Sequence, residues 1–476
     1  MQRRMTSRER VVLWVAILSS FVAFLDGSIV NVALPAIAAD LGGGLVTQQW
    51  VLDGYLLTLG SLILVAGALS DAHGRVRVLR AGLLLFGAAS LLCAAAPSGP
   101  VLVAARLFQG AAAALLVPSS LALITSAFEE EPRARAIGLW TGWTGTAFIV
   151  GPVLGGVLVD TIGWRWVFGI NVVPIAATML LLLRLNEPAR GRADAHIDVP
   201  GALLAALGLA GTVYALIMQG TLGWASPLVL APFAAGLACL AGFIWWQARA
   251  THPMMPLGLF RIRNFGIGNL ATASIYAGLS LGLFIIPIFL QEVAGFSALA
   301  AGLATIPLTI MSLSFSTLFG TLAGKHGPRL FMGLGPFLGG CGFLLMLTSR
   351  EPLDYWWQIL PGVVLFGLGL SVTVAPLTAA VLGSIAAERS GIGSAINNAV
   401  ARVAGLVAVA TTGTIVGATL DYGSFHRVLA VTAALLFAGA AISAIGIRNL
   451  PAPAPPVAPE AAAACHDRNV NGGPKP

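Results

Sequence analysis

Charge is what this sequence has least of. Only 9% of its 476 residues are Asp, Glu, Lys or Arg, while 57% are hydrophobic. A soluble surface on a chain of this length needs roughly 25% charged residues, so a soluble globular protein is excluded. Cysteine is nearly missing as well. Cys93, Cys239 and Cys341 lie inside apolar runs and Cys465 in a polar tail, with no two at a metal or redox spacing, so they read as small packing residues. No Gly-x4-Gly-Lys-Ser/Thr loop is present, which excludes an ATP motor of the chain's own. The six His stand between or beyond the apolar runs and there is no HExxH, so an embedded metalloenzyme or haem protein is excluded. No metal and no organic cofactor is expected. The formal charge of +7 forms no dense basic patch. That excludes nucleic acid as a partner and fits the basic inner loops of a membrane protein.

What is present is a succession of apolar runs. A bilayer core takes about 20 apolar residues per helix. Runs bounded by charge, Gly/Pro or polar clusters give fourteen spans: 11–35, 47–70, 78–96, 100–126, 136–158, 165–185, 199–219, 227–247, 265–290, 298–322, 329–348, 357–383, 391–418 and 428–449. The opening MQRRMTSRER is basic and is followed by a run too long for a secretory h-region, so it reads as the start of an uncleaved first helix. With the N-terminus inside, most of the 26 Lys and Arg fall on the inner side, and only Arg165, Arg350 and Arg427 fall outside. This asymmetry predicts an N-in/C-in topology.

The fold class expected is an all-α polytopic membrane protein of two six-helix bundles plus two inserted helices. Both halves place a short Gly-and-basic loop between their second and third helices, Gly67–Arg77 and Gly324–Arg329. Paired halves are a transporter signature, with the path at their interface. The divisions expected are 1–190, a first bundle; 191–263, a linker with the inserted pair; 264–450, a second bundle; and 451–476, a disordered cytoplasmic tail.

Ionisable groups inside spans are expensive and are functional candidates by default. Asp26 lies in the outer half of span one, Asp53 in the outer part of span two and Arg106 in the outer half of span four. At similar depth these three could meet. Burial favours a protonated carboxyl and a neighbouring Arg favours the ionised one, so moving one against the other could take up or release a proton. The plainer alternatives are helix-ending polar residues for the acids and a structural ion pair for Arg106. Arg402, near the middle of span thirteen, has no evident carboxylate partner, and packing is as good an account of it as function. In span five Gly151, Pro152, Gly155 and Gly156 let helices approach closely and bend, as a moving interface requires. Trp140, Trp143 and Phe148 with Tyr276 and Phe284 could line a lipophilic pocket, or pack helices.

These motifs, in order over roughly residues 10–450, resemble the 14-helix drug:proton antiporters of the major facilitator superfamily (the EmrB/QacA type). Gly67–Arg77 resembles the superfamily's signature loop. Arg106-Leu107-Phe108-Gln109-Gly110 is similar to its helix-four Arg-x-x-Gln-Gly motif, and Gly151-Pro152-x-x-Gly155-Gly156 to the helix-five motif of antiporters. Leu25–Ile37, Trp164–Pro174 and Ser390–Gly405 are also typical of this branch. The resemblance implies a rocking major facilitator fold in the cytoplasmic membrane and proton-driven export of small lipophilic, in part cationic, compounds. It implies proton coupling at Asp26, Asp53, Arg106 and Gln109, and a cytoplasmic latch of Gly67, Asp71, Gly74, Arg75 and Arg77. The partners implied are substrate, protons and lipid, with an accessory export protein admitted. A dedicated exporter of one metabolite or self-made antibiotic is the alternative, and a non-transporting sensor on the same fold a more distant one. The chain departs from the pattern at Ala72, where the loop usually carries a basic residue, and in its second loop, which has no Asp.

Overall fold

The computed structural model describes residues 5–185, 197–386, 389–417 and 419–449. The division at 190/191 and the tail 451–476 lie outside the described residues. Within them the chain is helical throughout: α1 (Ser7–Leu41), α2 (Gly44–His73), α3 (Arg75–Ala94), α4 (Gly99–Ala127), α5 (Glu130–Gly145), α6 (Ala147–Thr161), α7 (Arg165–Gly169) and α8 (Val172–Leu182). Then follow α9 (Val199–Leu222), α10 (Pro227–Arg249), α11 (Arg263–Glu292), α12 (Ala298–His326), α13 (Pro328–Leu345), α14 (Leu360–Leu382), α15 (Ser390–Ala410), α16 (Thr412–Val416) and α17 (Tyr422–Gly446). They make up fourteen segments long and apolar enough to cross a membrane.

Local chemistry sets the ends and breaks. Thr6 caps α1 in a reciprocal box: its hydroxyl accepts the Glu9 N–H at 3.2 Å and the Glu9 carboxylate accepts the Thr6 N–H at 2.7 Å. The helix ends at Gly42, whose φ of +80° suits glycine. Its 35 residues span about 52 Å at 1.5 Å per residue, more than the ~30 Å hydrocarbon core. It therefore runs past both expected limits and takes Pro35 inside it. Spans five, six and thirteen are each broken in two. The hydroxyls of Thr146 and Thr411 donate to the carbonyls of Trp143 and Ala408, both at 2.7 Å, and these local bonds compete with the helical ladder at the first and last of these breaks.

The last six spans share one apolar core, from Leu259 through Phe343, Phe366 and Phe425 to Ile447. The first six are held by two clusters, one around Leu83, Phe86 and Leu116 and one around Ile29, Leu34 and Phe168. The inserted helices α9 and α10 pack on each other where a Cβ on Gly211 or Gly236 would meet the partner helix's backbone. Through Leu209, Val213 and Ile217, α9 lies against Leu57 of α2 and Leu406 and Ala410 of α15.

The two halves are not equally close at both ends. At the end where α1 finishes (the far end), α6 meets α12, and α2 meets α15. Gln49 Nε2 donates to the carbonyls of Val409 (2.8 Å) and Ala410 (3.1 Å), and Gln291 Nε2 to Val32 O (3.1 Å). Toward the near end, where α1 begins, α2 and α15 part. Along α2, Gln49, Asp53 and Gly60 are buried, Leu64 and Gly67 half-buried and Asp71 exposed. Along one face of α15, Val409 and Gly405 are buried, Arg402 half-buried and Asn398 exposed. Matching gradients on facing helices describe a cleft that is closed at the far end and open at the near end.

Candidate functional site

Arg106 is fully buried inside the first bundle. A guanidinium there must be paired and hydrogen-bonded to repay its desolvation. Its Nη1 donates to Asp26 Oδ2 at 2.6 Å and to Gln109 Oε1 at 2.7 Å, and its Nε to Val51 O at 2.9 Å. The plane lies 4.4 Å from the Tyr55 ring centroid and 5.6 Å from that of Phe168. Gln109, one helical turn on, donates through Nε2 to Asp26 Oδ1 (2.8 Å) and Ser90 Oγ (3.0 Å). Asn171, just before α8, donates to the same Asp26 Oδ1 at 2.9 Å. Asp26 thus accepts three charge-assisted or amide bonds from two segments, α4 and the turn before α8, while Arg106 Nη2 has no hydrogen-bond partner among the described residues.

The motif's final glycine has its own reason. A Cβ at Gly110 would collide with the Tyr55 carbonyl and the Thr58 hydroxyl, so glycine lets α4 press onto α2, and Thr58 Oγ1 then donates to Leu107 O at 2.7 Å.

Of the three groups placed at similar depth by the sequence, the structure brings together Asp26 and Arg106 and leaves Asp53 apart. Asp53 is fully buried and neither carboxylate oxygen has a hydrogen-bond partner among the described residues. It shares a stripe of α2 with Gln49 and Gly60, both of which touch α15. It therefore stands at the seam between the bundles. An ionised carboxylate without donors is costly there, and either a proton or an approaching cation relieves the cost.

The small residues of span five form the far-end seal. A Cβ on Gly151 would strike the Ser28 hydroxyl of α1, and one on Gly155 would lie 2.9 Å from the Ile29 carbonyl. Gly156 faces the backbone of Leu299 in the other bundle, and Gly302 faces the carbonyl of Pro152. Below them Asp160 accepts the Ala298 and Leu299 N–H groups. Asp160, Asn171 and Ser90 were not singled out by sequence. Asn171 lies within the Trp164–Pro174 stretch typical of the branch, which is its one signal in the sequence.

The loop groups sit at the open near end. Asp71 and Arg75 form a 3.4 Å pair with half-exposed side chains, and Arg75 Nη1 donates to Ala122 O of α4 at 2.8 Å. Gly74, at φ +92°, makes the turn from α2 to α3. Arg77 is exposed, and nothing lies within 4 Å of a Cβ placed on Gly67. The second loop is tied without an Asp: Asn449 accepts the Arg329 N–H at 3.1 Å and donates to the His326 carbonyl at 3.2 Å.

Arg402 is half-buried, its Cβ 3.5 Å from the Cβ position of Gly60, and makes no hydrogen bond or ion pair among the described residues. Of the aromatic candidates, Trp143 makes a tilted ring contact with Trp14 (centroids 5.5 Å apart) and Phe148 with Phe24 (5.8 Å), all four partly or largely exposed. Trp140 instead donates to Ser20 Oγ, and Phe284 is core. A cavity of about 730 Å³ adjoins the cleft, sharing Gly60 and Leu64 of α2 with it, and extends among Leu240, Phe243, Val403 and Val407 with largely apolar walls.

A family model described as Major Facilitator Superfamily matches residues 16–409. The chain is 33% identical to the methylenomycin A resistance protein of Bacillus subtilis over 85% of its length and 87% of that protein. It is 34% identical to puromycin resistance protein pur8 of Streptomyces alboniger over 87% of its length and 83% of that protein. To the cephamycin export protein CmcT of Amycolatopsis lactamdurans it is 32% identical, over 87% and 86% respectively. A crystal structure of an auto-inhibited peptide transporter of the POT family superposes with a TM-score of 0.69 at 17% identity, covering 94% of this chain and 99% of that one, which is a likeness of fold.

Proposed function

Since the chain belongs to the major facilitator superfamily, we propose that it exports small lipophilic compounds, antibiotics among them, across the cell membrane in exchange for protons. The observation that carries this reading is the Asp26–Arg106 pair, fully buried at 2.6 Å in a bundle whose cleft is open at one end only. A cleft that opens alternately to each side supplies alternating access. A carboxylate whose ionised form depends on one Arg, one Gln and one Asn supplies the proton switch. Shifting α4 or α8 against α1 removes donors from Asp26 and favours its protonation; restoring them expels the proton. Asp53, at the seam and without donors, is the second titrating group, and the parting of α2 from α15 is what would bring water to it.

The near end is assigned to the cytoplasm, with the open cleft facing inward and the Asp71–Arg75–Arg77 loop released. Closing the near end would bring the loop's charges against the opposite bundle. The relatives' names include single compounds, which supports the narrower reading of a dedicated antibiotic exporter. Specificity between the two readings rests on the range of compounds carried.

The test has two stages. A susceptibility panel in an efflux-deficient bacterial host identifies compounds whose toxicity the protein lowers. Proteoliposomes are then given a pH gradient with one such compound: uphill movement that collapses on dissipating the gradient supports the reading. Resistance with no dependence on the gradient overturns proton exchange.

A further inference from the structure

We infer that Arg402 and Tyr276 form an anion-recognising subsite at the closed tip of the cleft, so that the exported compounds present a carboxylate or similarly acceptor-rich group there. The inference rests on the export reading and names the substrate class.

Three observations meet at this point. Arg402 and Tyr276 are both half-buried, on the packed pair α15 and α11, and neither makes a hydrogen bond or ion pair among the described residues. A Cβ placed on Gly405, one turn along α15 from Arg402, would lie 3.9 Å from the Tyr276 carbonyl oxygen. Arg402 also stands where exposure changes along α15. Asn398, one turn nearer the open end, is exposed; Gly405, one turn further, is buried where a Cβ would meet Ser280. A group moving up the cleft therefore meets Arg402 at its limit.

Both side chains can offer hydrogens: five N–H in a planar fork and one O–H. An ammonium or guanidinium would be repelled by Arg402. A carboxylate satisfies the fork in a bidentate manner and takes the phenol hydrogen as well. Two of the acids near the cleft, Asp26 and Glu292, are committed to donors within the protein, and Asp53 remains the titrating group of the seam. Asp26 is filled by Arg106, Gln109 and Asn171. Glu292 accepts from Gln48, and Asp53 lies on the stripe of α2 that packs on α15. The subsite thus selects compounds that are acidic or zwitterionic, and the tilted pairs Trp14–Trp143 and Phe24–Phe148 offer apolar surface on α1 and the two helices of span five.

The experiment uses the full chain in nanodiscs and a matched fluorescent pair, dansylphenylalanine and its methyl ester, which differ by one carboxylate. The wild type is expected to bind the acid about tenfold or more tightly than the ester, the scale of a hydrogen-bonded charge. Arg402→Gln should erase that preference, Arg402→Lys should keep part of it, and Tyr276→Phe should reduce it. Equal affinities, no binding by either probe, or a preference that survives Arg402→Gln overturns the subsite. Export is scored separately. Retention of gradient-driven efflux in Arg402→Gln with no acid preference in the wild type sinks the subsite and spares the exchanger. Acid preference without any gradient-driven efflux does the reverse.

Discussion

Asp160 and Leu299 are joined across the seam between the bundles. The Asp160 carboxylate at the end of α6 accepts the Leu299 N–H at 2.9 Å and the Ala298 N–H at 3.1 Å, at the start of α12. One half of the molecule thus caps a helix of the other, with a negative group at the positive end of the helix dipole. The bond can exist only while the far end is shut.

Removing it should bias the cleft. Each charge-assisted cap contributes about 1–2 kcal/mol. Asp160→Ala is therefore predicted to raise the far-end-open population by roughly tenfold. Spin labels placed across the far end would report the shift as a longer distance. An unchanged distance distribution would remove Asp160 from the gate.

Gly156 is predicted to tolerate no side chain. A Cβ there meets the Leu299 backbone, which cannot swing aside as a flexible side chain would. Gly156→Ala should hold the far end open and lower transport by an order of magnitude or more, on the scale of overpacking costs of about 1–3 kcal/mol. Gly27→Ala, where nothing lies within 4 Å, is the matched control and should transport normally. Equal rates in the two variants would contradict the close-packed gate.

For the buried pair the two partners are not equivalent as targets. Arg106→Ala leaves the buried Asp26 with only the Gln109 and Asn171 amides and no counter-charge, at a cost of about 3–5 kcal/mol, and should reduce folded protein. Asp26→Asn removes the charge and keeps the shape. It is predicted to remain inserted, to lose gradient-driven efflux, and to keep downhill exchange. Normal uphill efflux in Asp26→Asn would refute the proton assignment.

These cases show what was legible in the sequence. Fourteen spans and the Gly-rich loops follow from hydropathy and motif order, because each depends on residue type at short range, and the depth of Asp26 and Arg106 within their spans made them candidates to meet. The break at Thr146 did not, since a Thr in an apolar run is ordinary until its hydroxyl is seen on Trp143 O. Nor did Asp160, just past the fifth span, or Asn171, inside the sixth, since both acquire these partners only through contacts more than a hundred residues away. Asp53 was placed with Arg106 by depth alone, and depth says nothing about direction around a helix; its stripe with Gln49 and Gly60 turns it toward α15.

At the near end, Asp71→Asn is predicted to slow the exchange between cleft states while leaving probe binding intact. The Asp71–Arg75 pair is exposed in the open cleft and contributes little to stability there. Its contribution belongs to the near-end-closed state, so the effect should appear in turnover and be absent from thermal stability. A stable variant with wild-type turnover would count against the latch, as would one that simply unfolds.

The inserted pair is the last element with a chemical signature. Asp198 caps α9 through the Gly201 N–H at 2.9 Å and also accepts from Trp246 Nε1 (2.8 Å) and Gln247 Nε2 (2.6 Å) of α10, so one carboxylate staples both helices. Burial pushes its pKa up, but the bonds from Gln247, Gly201 and Trp246 outweigh this and leave it below the ordinary value of 3.8. A carboxyl depressed in the folded state stabilises at pH above its unfolded value and loses that contribution as pH falls through the folded one. The staple should therefore hold throughout neutral and mildly acidic pH and release only below 3.8. Asp198→Ala should cost about 1 kcal/mol, the usual worth of an N-cap. Hydrogen exchange in the first turn of α9 is the measurement: faster exchange in Asp198→Ala at neutral pH, and in the wild type only under strong acid. Protection that is the same in both proteins at neutral pH would show that the apolar seam of Leu209, Val213 and Ile217 holds α9 without the carboxylate.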